Sequence, residues 1–421
     1  MNRTPLLRLP RHEATTANLA ATYPFHADRG LGARGLYLGT EVLSGGAFCF
    51  DPFELYGAGV LTSPNMLVLG DLGSGKSAAT KCFLSRSIAV LDRWVAIVDP
   101  KGEYGPLAER HGLDRVELHP GGSSRLNPLD PGPETDARSV GVRRTALVVA
   151  LLAAIARRDL EPVEEAALAF AMDELSERGD GHPTLADLAA LVACPTDRMA
   201  TRAELPVADL ARRLEGLRFG LGKLLDGHLR GMFDGPSTVR LDGSGRGVVI
   251  DVSAVFHDRD ALSLVMCAVT GWLNGILAGG DGHRRRIQVI DECWALLADV
   301  RVARYFQACW KLSRSYGVAN IAVAHRVGDL RAQADDGSSA AKIAEGLLAD
   351  AQTRVLFRQP ADQVEEAKRL LGLSQPEAQL LSQLARGRAL WRVGSHAAVV
   401  QHVIGADERE LCDTDARLIV G

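Results

Sequence analysis

Residues Gly70-Asp71-Leu72-Gly73-Ser74-Gly75-Lys76-Ser77 read G-x-x-x-x-G-K-S, placed between the apolar run Met66-Leu67-Val68-Leu69 and a helix-like stretch from Ala78 to Val90. Glycines at this spacing let successive backbone N–H groups converge on phosphate oxygens. Lys76 can then reach the β- and γ-phosphates of ATP, while the Ser77 hydroxyl sits on Mg²⁺. A helix opening at Ala78 adds its positive N-terminal end to the same anion site. The bland alternative is a glycine-rich turn that happens to precede Lys and Ser. Strand-like entry and helix-like exit count against it.

A second chemical pair follows far downstream. The apolar run Ile287-Gln288-Val289-Ile290 delivers Asp291 and Glu292 to a strand's C-terminal end, where open α/β sheets bind their ligands. Asp291 suits Mg²⁺, held through water, and Glu292 suits orienting and deprotonating a water that attacks the γ-phosphate. An Asp-Glu pair at a strand end is common by itself; the phosphate loop upstream gives it meaning. A base beside the metal ligand favours hydrolysis over transfer to a small acceptor. Arg314, near the end of a long helix, reads either as a solvated helix-end charge or as an arginine finger entering a neighbour's site. His325, at the end of the strand Val318–Ala324, can donate a hydrogen bond to the γ-phosphate or simply pack locally. Asp99 and Glu103, after the apolar strand Trp94–Val98, are accessory candidates.

The elements that must position these groups alternate β and α from Asn65 onward. Weak strand signals at Leu36–Leu38 and Phe48–Phe50 and a turn at Asp51-Pro52 lead in. A helix over 75–91, the strand 94–98 and a short strand 116–118 follow. Between Asn127 and Pro236 the strands stop, and helical periodicity fills 135–157, 163–178, 184–192 and 207–229. Strands resume at 238–241 and 248–252. Next come a helix at 261–277, the strand 287–290 and a long helix to Tyr316. Strands 320–324 and 353–357, two short helices and a closing pair at 389–393 and 397–403 finish the chain. The expected division is a lead-in at 1–60, an ATPase core at 61–130 and 236–410, an all-α insertion at 131–235, and a tail at 411–421.

A chain of 421 residues can bury a large core. With aromatics at only 5%, aliphatic side chains must fill it. A net charge of −4 argues against a surface given over wholly to nucleic acid, though a local basic face remains open. The 7 cysteines are scattered without a C-x-x-C pair, so neither a structural metal nor a disulfide framework is expected. Met1–Asp28 lacks an apolar leader core. Ala146–Ala156 is too short to span a membrane, and Ala261–Gly279 carries polar residues and glycines that suit a buried helix, so no transmembrane segment is expected.

Several motifs in one order resemble the motor ATPases of conjugation and type IV secretion, in the HerA–FtsK superfamily. They are Phe50-Asp51-Pro52, GDLGSGKS at 70–77, VDPKGEY at 98–104, LNPLD at 126–130, IDECWALL at 290–297, RSYG at 314–317 and AHRVGDL at 324–330. The resemblance covers roughly residues 35–410. It implies an α/β fold: a RecA-like P-loop NTPase core with a mostly parallel sheet and an all-α insertion, assembling as a homo-hexamer with ATP between subunits. It assigns phosphate and Mg²⁺ to Lys76, Ser77 and Asp291, the base to Glu292, and the trans finger to Arg314. His325 stands where the family usually carries Gln. Relatives carry a large N-terminal domain, so either a separate polypeptide supplies it or this chain is a stand-alone motor. Expected partners are a secretion-channel protein, that separate domain, or DNA, and the expected location is the cytoplasm, free or peripheral at the inner face of the cell membrane. One rival is a translocase pulling DNA directly, for which Arg212, Arg213, Arg218, Lys223 and Arg230 are the basic candidates. A rival of another kind is a nucleotide-gated scaffold, against which an intact Glu292 argues.

Overall fold

The computed structural model describes residues 30–133, 136–178, 182–239, 241, 245–279, 284–326, 328 and 339–412. Apolar runs that pair on both sides become the centre of one 11-stranded sheet, ordered β2-β1-β11-β10-β9-β3-β8-β7-β4-β6-β5. The strands are β1 (Leu36–Glu41), β2 (Ala47–Phe50), β3 (Met66–Leu69), β4 (Trp94–Asp99), β5 (Asp114–Glu117), β6 (Gly247–Asp251), β7 (Arg286–Ile290), β8 (Val318–Ala324), β9 (Thr353–Leu356), β10 (Arg388–Val393) and β11 (His396–His402). From β9 through β5 the pairing is parallel, and from β2 through β9 it is antiparallel. The α/β class with a mostly parallel central sheet holds.

Alternation along each strand splits the core into two layers. Leu67, Leu69, Ala96, Val98, Val248 and Ile250 lie on the face shared by the helices between β5 and β6 and by helices Arg259–Ala278, Val300–Leu312 and Ser339–Asp350. Met66, Val68, Val95, Ile97, Val249 and Val289 face helices Lys76–Leu91 and Gly105–His111. Register aligns the strand ends: Leu69 pairs with Ala324 and Leu356, Ile290 with Ala322 and Val98, and Asp99 with Asp251. Gly70, Asp99, Asp251, Asp291 and His325 therefore share the C-terminal edge of the sheet.

Several elements differ from the sequence expectations. Thr238, Val239 and Leu241 form no strand, and Arg240 lies outside the described residues. Thr238 N–H reaches Arg125 O as an isolated bridge, with Pro236 just before it. The single helix expected over 207–229 is two, Val207–Arg213 and Glu215–Leu225, joined at Leu214. The long helix to Tyr316 is also broken. Asp299 is extended and caps Val300–Leu312 through Arg301 N–H and Val302 N–H, and a 3-10 turn, Ser313–Tyr316, follows. Pro52–Gly57 is a helix rather than a turn, because Asp51 accepts from Phe53 and Glu54 N–H with Pro at the first helical position. Helices Gly105–His111, Asp197–Arg202 and Ser339–Asp350 were not foreseen. The apolar stretch 146–156 belongs to a 20-residue helix, Ala137–Ala156, so it is not too short for a membrane. Two described helices, this one and Arg259–Ala278, are long and apolar enough to cross one. The second is 89% buried, and Leu147, Val148, Leu151 and Leu152 of the first join the core of the sheet.

Candidate functional site

The loop Gly70–Gly75 leaves β3 and enters helix Lys76–Leu91 as the glycine spacing requires. Gly73 and Gly75 take φ of 72° and 101°, which a side chain would strain. A Cβ on Gly70 would lie 2.5 Å from Phe357 Cβ and 2.8 Å from Ser74 Oγ; one on Gly75 would lie 3.0 Å from Gly387 N. Gly70 N–H donates to His325 O, Asp71 N–H to Arg358 O, and Ser74 Oγ to Asp71 O at 2.6 Å. Gly387 N–H donates to Ser74 O at 2.9 Å. The loop is thus held from three strands. Leu72 points outward at 70% exposure, and Ser77 and Ala78 are half-buried in the first helical turn.

Lys76 turns its Nζ inward, donating to Ala324 O at 3.2 Å and to His325 Nδ1 at 3.1 Å. Burial lowers its pKa, against the raising charges of Asp291 and Glu292. His325 Nε2 lies 2.7 Å from Glu292 Oε1 and 2.9 Å from Lys101 Nζ, and Lys101 Nζ lies 2.5 Å from Glu292 Oε1. The ring thus turns Nδ1 to Lys76 and Nε2 to Glu292 and Lys101. His325 therefore bridges the phosphate-loop lysine and the strand-end carboxylate.

Asp291 and Glu292 are both buried at the end of β7. Asp291 Oδ1 accepts from Glu292 N–H at 2.9 Å, and its Oδ2 accepts from Tyr104 Oη at 3.3 Å. Burial, with the Glu292 charge added, raises the Asp291 carboxyl. Burial also works to raise Glu292, but hydrogen bonding and charge from His325 and Lys101 outweigh it and hold it at about 2. Trp294 Nε1–H donates to Glu292 Oε2. Glu292 sits at φ 51°, a left-handed conformation that costs a non-glycine residue about 1–3 kcal/mol and recurs where a side chain must be aimed.

Asp99 shapes its own loop by accepting from the N–H groups of Lys101, Glu103 and Tyr104 at 2.8–3.2 Å. Burial pushes its carboxyl up to about 6, against those bonds. Glu103 pairs with buried Lys81 at 3.9 Å. The loop's contribution to the cluster is Lys101, which sits inside VDPKGEY with no spacing that marks it as a site residue; the same holds for Tyr104 and, in IDECWALL, Trp294.

Arg314 is not brought to this cluster. It lies exposed on the 3-10 turn before β8, with Nη1 donating to Thr62 O at 3.2 Å. That is the N-terminal edge of the sheet, and the 7 residues of β8 separate it from His325, about 23 Å at 3.3 Å per residue. A buried polar chain fixes the turn beneath it. Asn65 Oδ1 accepts from Asn320 N–H at 2.9 Å, Asn320 Nδ2 donates to Ser313 Oγ at 2.7 Å, and Ser313 Oγ donates to Trp310 O at 2.8 Å.

The donor set fits a magnesium nucleotide. Backbone N–H groups and the buried Lys76 ammonium face an anion, while Ser77 Oγ and Asp291 offer oxygen to a hard cation beside them. Among the described residues no cluster of three or more His, Cys, Asp or Glu side chains could hold a metal by itself.

Residues 59–204 match the family described as the central domain of the helicase HerA. The type IV secretion system protein CagE of Helicobacter pylori is 20% identical over 372 residues, covering 81% of this chain; the match spans 35% of that relative's length. VirB4 of Thermoanaerobacter pseudethanolicus superposes with a TM-score of 0.73 at 22% identity, over 91% of this chain and 100% of that one. The plasmid coupling protein TrwB in complex with ADP and Mg²⁺ gives 0.59 at 17% identity, covering 96% of each chain. Phosphate loop and strand-end carboxylates fall in a chain whose residues 59–204 match the HerA central-domain family and whose fold is that of the VirB4 and TrwB structures.

Proposed function

We propose that the chain is an ATP-hydrolysing motor that energises type IV secretion or conjugation-like transfer as a homo-oligomeric ring, a hexamer by resemblance. Lys76 and the loop N–H groups bind the phosphates, Ser77 and Asp291 hold Mg²⁺, and Glu292 takes the proton of the attacking water. Mg²⁺ would supply charge neutralisation along the phosphate oxygens. His325 donates toward the γ-phosphate once nucleotide displaces its contacts, and Arg314 serves the neighbour's site. The observation that carries this reading is Glu292 itself: a buried, ionised carboxylate beside the candidate Mg²⁺ ligand, linked to Lys76 through His325. A scaffold gated by nucleotide has no use for such a base.

A direct grip on DNA by the intervening helices has less support. Arg212 pairs with Asp209, Arg213 with Glu161, and Arg218 stacks on Phe219. The expected place of work is the cytoplasm or the inner face of the cell membrane, against a channel protein.

The test is ATP turnover by the purified full chain across a protein concentration series, with and without single- and double-stranded DNA, beside Glu292→Gln. Turnover per chain should rise cooperatively with concentration and vanish in the variant. Unchanged turnover in Glu292→Gln would overturn the motor assignment, and strong stimulation by DNA would favour the translocase over the secretion motor.

A further inference from the structure

Cys82 and Cys412 are 330 positions apart, yet their Sγ atoms lie 3.5 Å from each other. Cys82 is buried in helix Lys76–Leu91, six residues past the phosphate-loop lysine. Cys412 ends the short helix Arg409–Cys412 and is half-buried, and its thiol also donates weakly to Ala78 O at 3.8 Å. Both sulfurs therefore sit on the first turns of the P-loop helix. The contact is not a frayed end brushing past. Arg86, one turn beyond Cys82, donates through Nε and Nη2 to the two Glu408 oxygens at 2.7 and 2.5 Å. Arg110 pairs with Asp407 at 2.6 Å, and Glu408 accepts from Gly405 N–H. These bonds fasten the segment on both neighbouring helices and leave the sulfur pair facing each other.

We propose that Cys82 and Cys412 are a redox modification site, closed by a peroxide into a disulfide that ties the C-terminal helix to the P-loop helix. The bond length is about 2.05 Å, so the sulfurs must approach by about 1.5 Å, a side-chain rotation with a small shift of the short helix. Cys412 reacts first, being the more accessible; the hydrogen bond from Cys82 and the charge of Lys81 favour its thiolate against burial. Its sulfur attacks the peroxide, the O–O bond breaks, hydroxide leaves, and Cys412 becomes a sulfenic acid. Cys82 sulfur then attacks Cys412 Sγ, the S–O bond breaks, and the thiol proton leaves with hydroxide as water. Two thiols lose two electrons in all, and the peroxide is reduced to two waters. Of the other five cysteines, Cys267 and Cys293 are buried, Cys49 and Cys309 are half-buried, and Cys194 is exposed. The inference rests on this geometry and not on the nucleotide reading.

The test uses the full chain carrying Cys194→Ser, which suppresses links between chains. Reduced protein is treated with hydrogen peroxide, then followed by denatured thiol titration, intact mass and non-reducing peptide mapping. The expected result is loss of two thiols and two hydrogens, a Cys82–Cys412 cross-linked peptide, reversal by dithiothreitol, and a higher unfolding temperature in the oxidised form. Adding Cys412→Ser, a change at the half-exposed partner, should abolish the thiol loss. Adding Cys82→Ser should leave a dimedone-reactive sulfenic acid on Cys412. Thiol loss that persists in the Cys412→Ser chain, or a Cys412 sulfinic acid with Cys82 still free, overturns the proposal.

Discussion

If Arg314 acts at all in hydrolysis, it acts on another chain. The 7 residues of β8 hold it about 23 Å from the His325 end of the same strand, beyond the reach of one arginine side chain. Two chains each dead by a different route then become informative when mixed. Arg314→Ala keeps Glu292 and loses the finger, for which the expected cost in kcat is about 10³–10⁵. Glu292→Gln keeps the finger and loses the base. In a ring assembled at random from equal amounts, each interface takes its base from one chain and its finger from the next. Half the chains offer an intact base and half an intact finger, so about one interface in four is complete. Coupled ATP turnover after mixing, dissociation and reassembly should rise to as much as about a quarter of wild type, from near zero for either variant alone. Coordination between subunits would reduce that figure without removing the rise. A mixture that only averages its two components, under conditions where wild type does assemble, refutes the trans assignment.

Other consequences follow from the same packing. His402 donates Nδ1–H to Gly387 O, accepts from Trp391 Nε1–H at 3.1 Å and stacks on Phe357, and burial holds its imidazole at about 4 instead of 6.5. Below pH 6.5 the unfolded chain takes a proton that the folded one refuses. Stability is therefore full above 6.5 and falls by about 2 kcal/mol at pH 5 and about 3 kcal/mol at pH 4. Urea midpoints against pH should show that slope in wild type and lose most of it in His402→Asn. Gly75→Ala puts a Cβ 3.0 Å from Gly387 N at a φ of 101°, so it should cost about 1–3 kcal/mol and weaken ATP binding measured by calorimetry. Asn320→Leu removes the Nδ2 donor to Ser313 Oγ under the Arg314 turn and leaves the backbone bond to Asn65 in place, at about 1–3 kcal/mol; kcat should fall with ATP affinity intact, and a matching loss of affinity would argue against a positioning role.

The phosphate-loop half of the candidate site is legible because its determinants are contiguous. Gly70–Ser77 and Asp291-Glu292 each carry their own strand, turn and chemistry within a dozen residues, and strand order then brings them together. His325 was legible as a strand-end polar group, but its two-sided contact with Lys76 and Glu292 depends on β8 lying between β3 and β7, which no local pattern states. Lys101 was hidden for a similar reason: a lysine in a loop becomes a partner of Glu292 only because Asp99 folds that loop over the strand end through three backbone bonds. Helix lengths failed where one side chain decides them. Asp299 competes for the backbone as a cap and splits what periodicity ran together, and Leu214 marks a second break after Pro206. Contacts across 330 and 322 residues, Cys82 with Cys412 and Arg86 with Glu408, leave no trace in composition at all.

The two ends of β8 give the proposed ring a physical route for coordination. His325, at the C-terminal end, touches both Lys76 and Glu292, so any displacement of Lys76 by a γ-phosphate must rearrange the imidazole and the backbone that donates and accepts beside it. Ala324 O and His325 O both bond to the phosphate-loop region. At the other end the same strand enters directly from the Arg314 turn, which the Asn320 side chain holds from within the strand through Ser313 Oγ. β8 is buried along all 7 residues and paired on both sides, so it moves as a unit rather than bending. A change sensed at one chain's γ-phosphate would in this way shift the finger that the chain lends to its neighbour. That is also why Asn320, remote from either ligand, is the informative position: it is the point where the strand grips the turn, and loosening it should uncouple neighbouring sites while leaving each able to bind ATP.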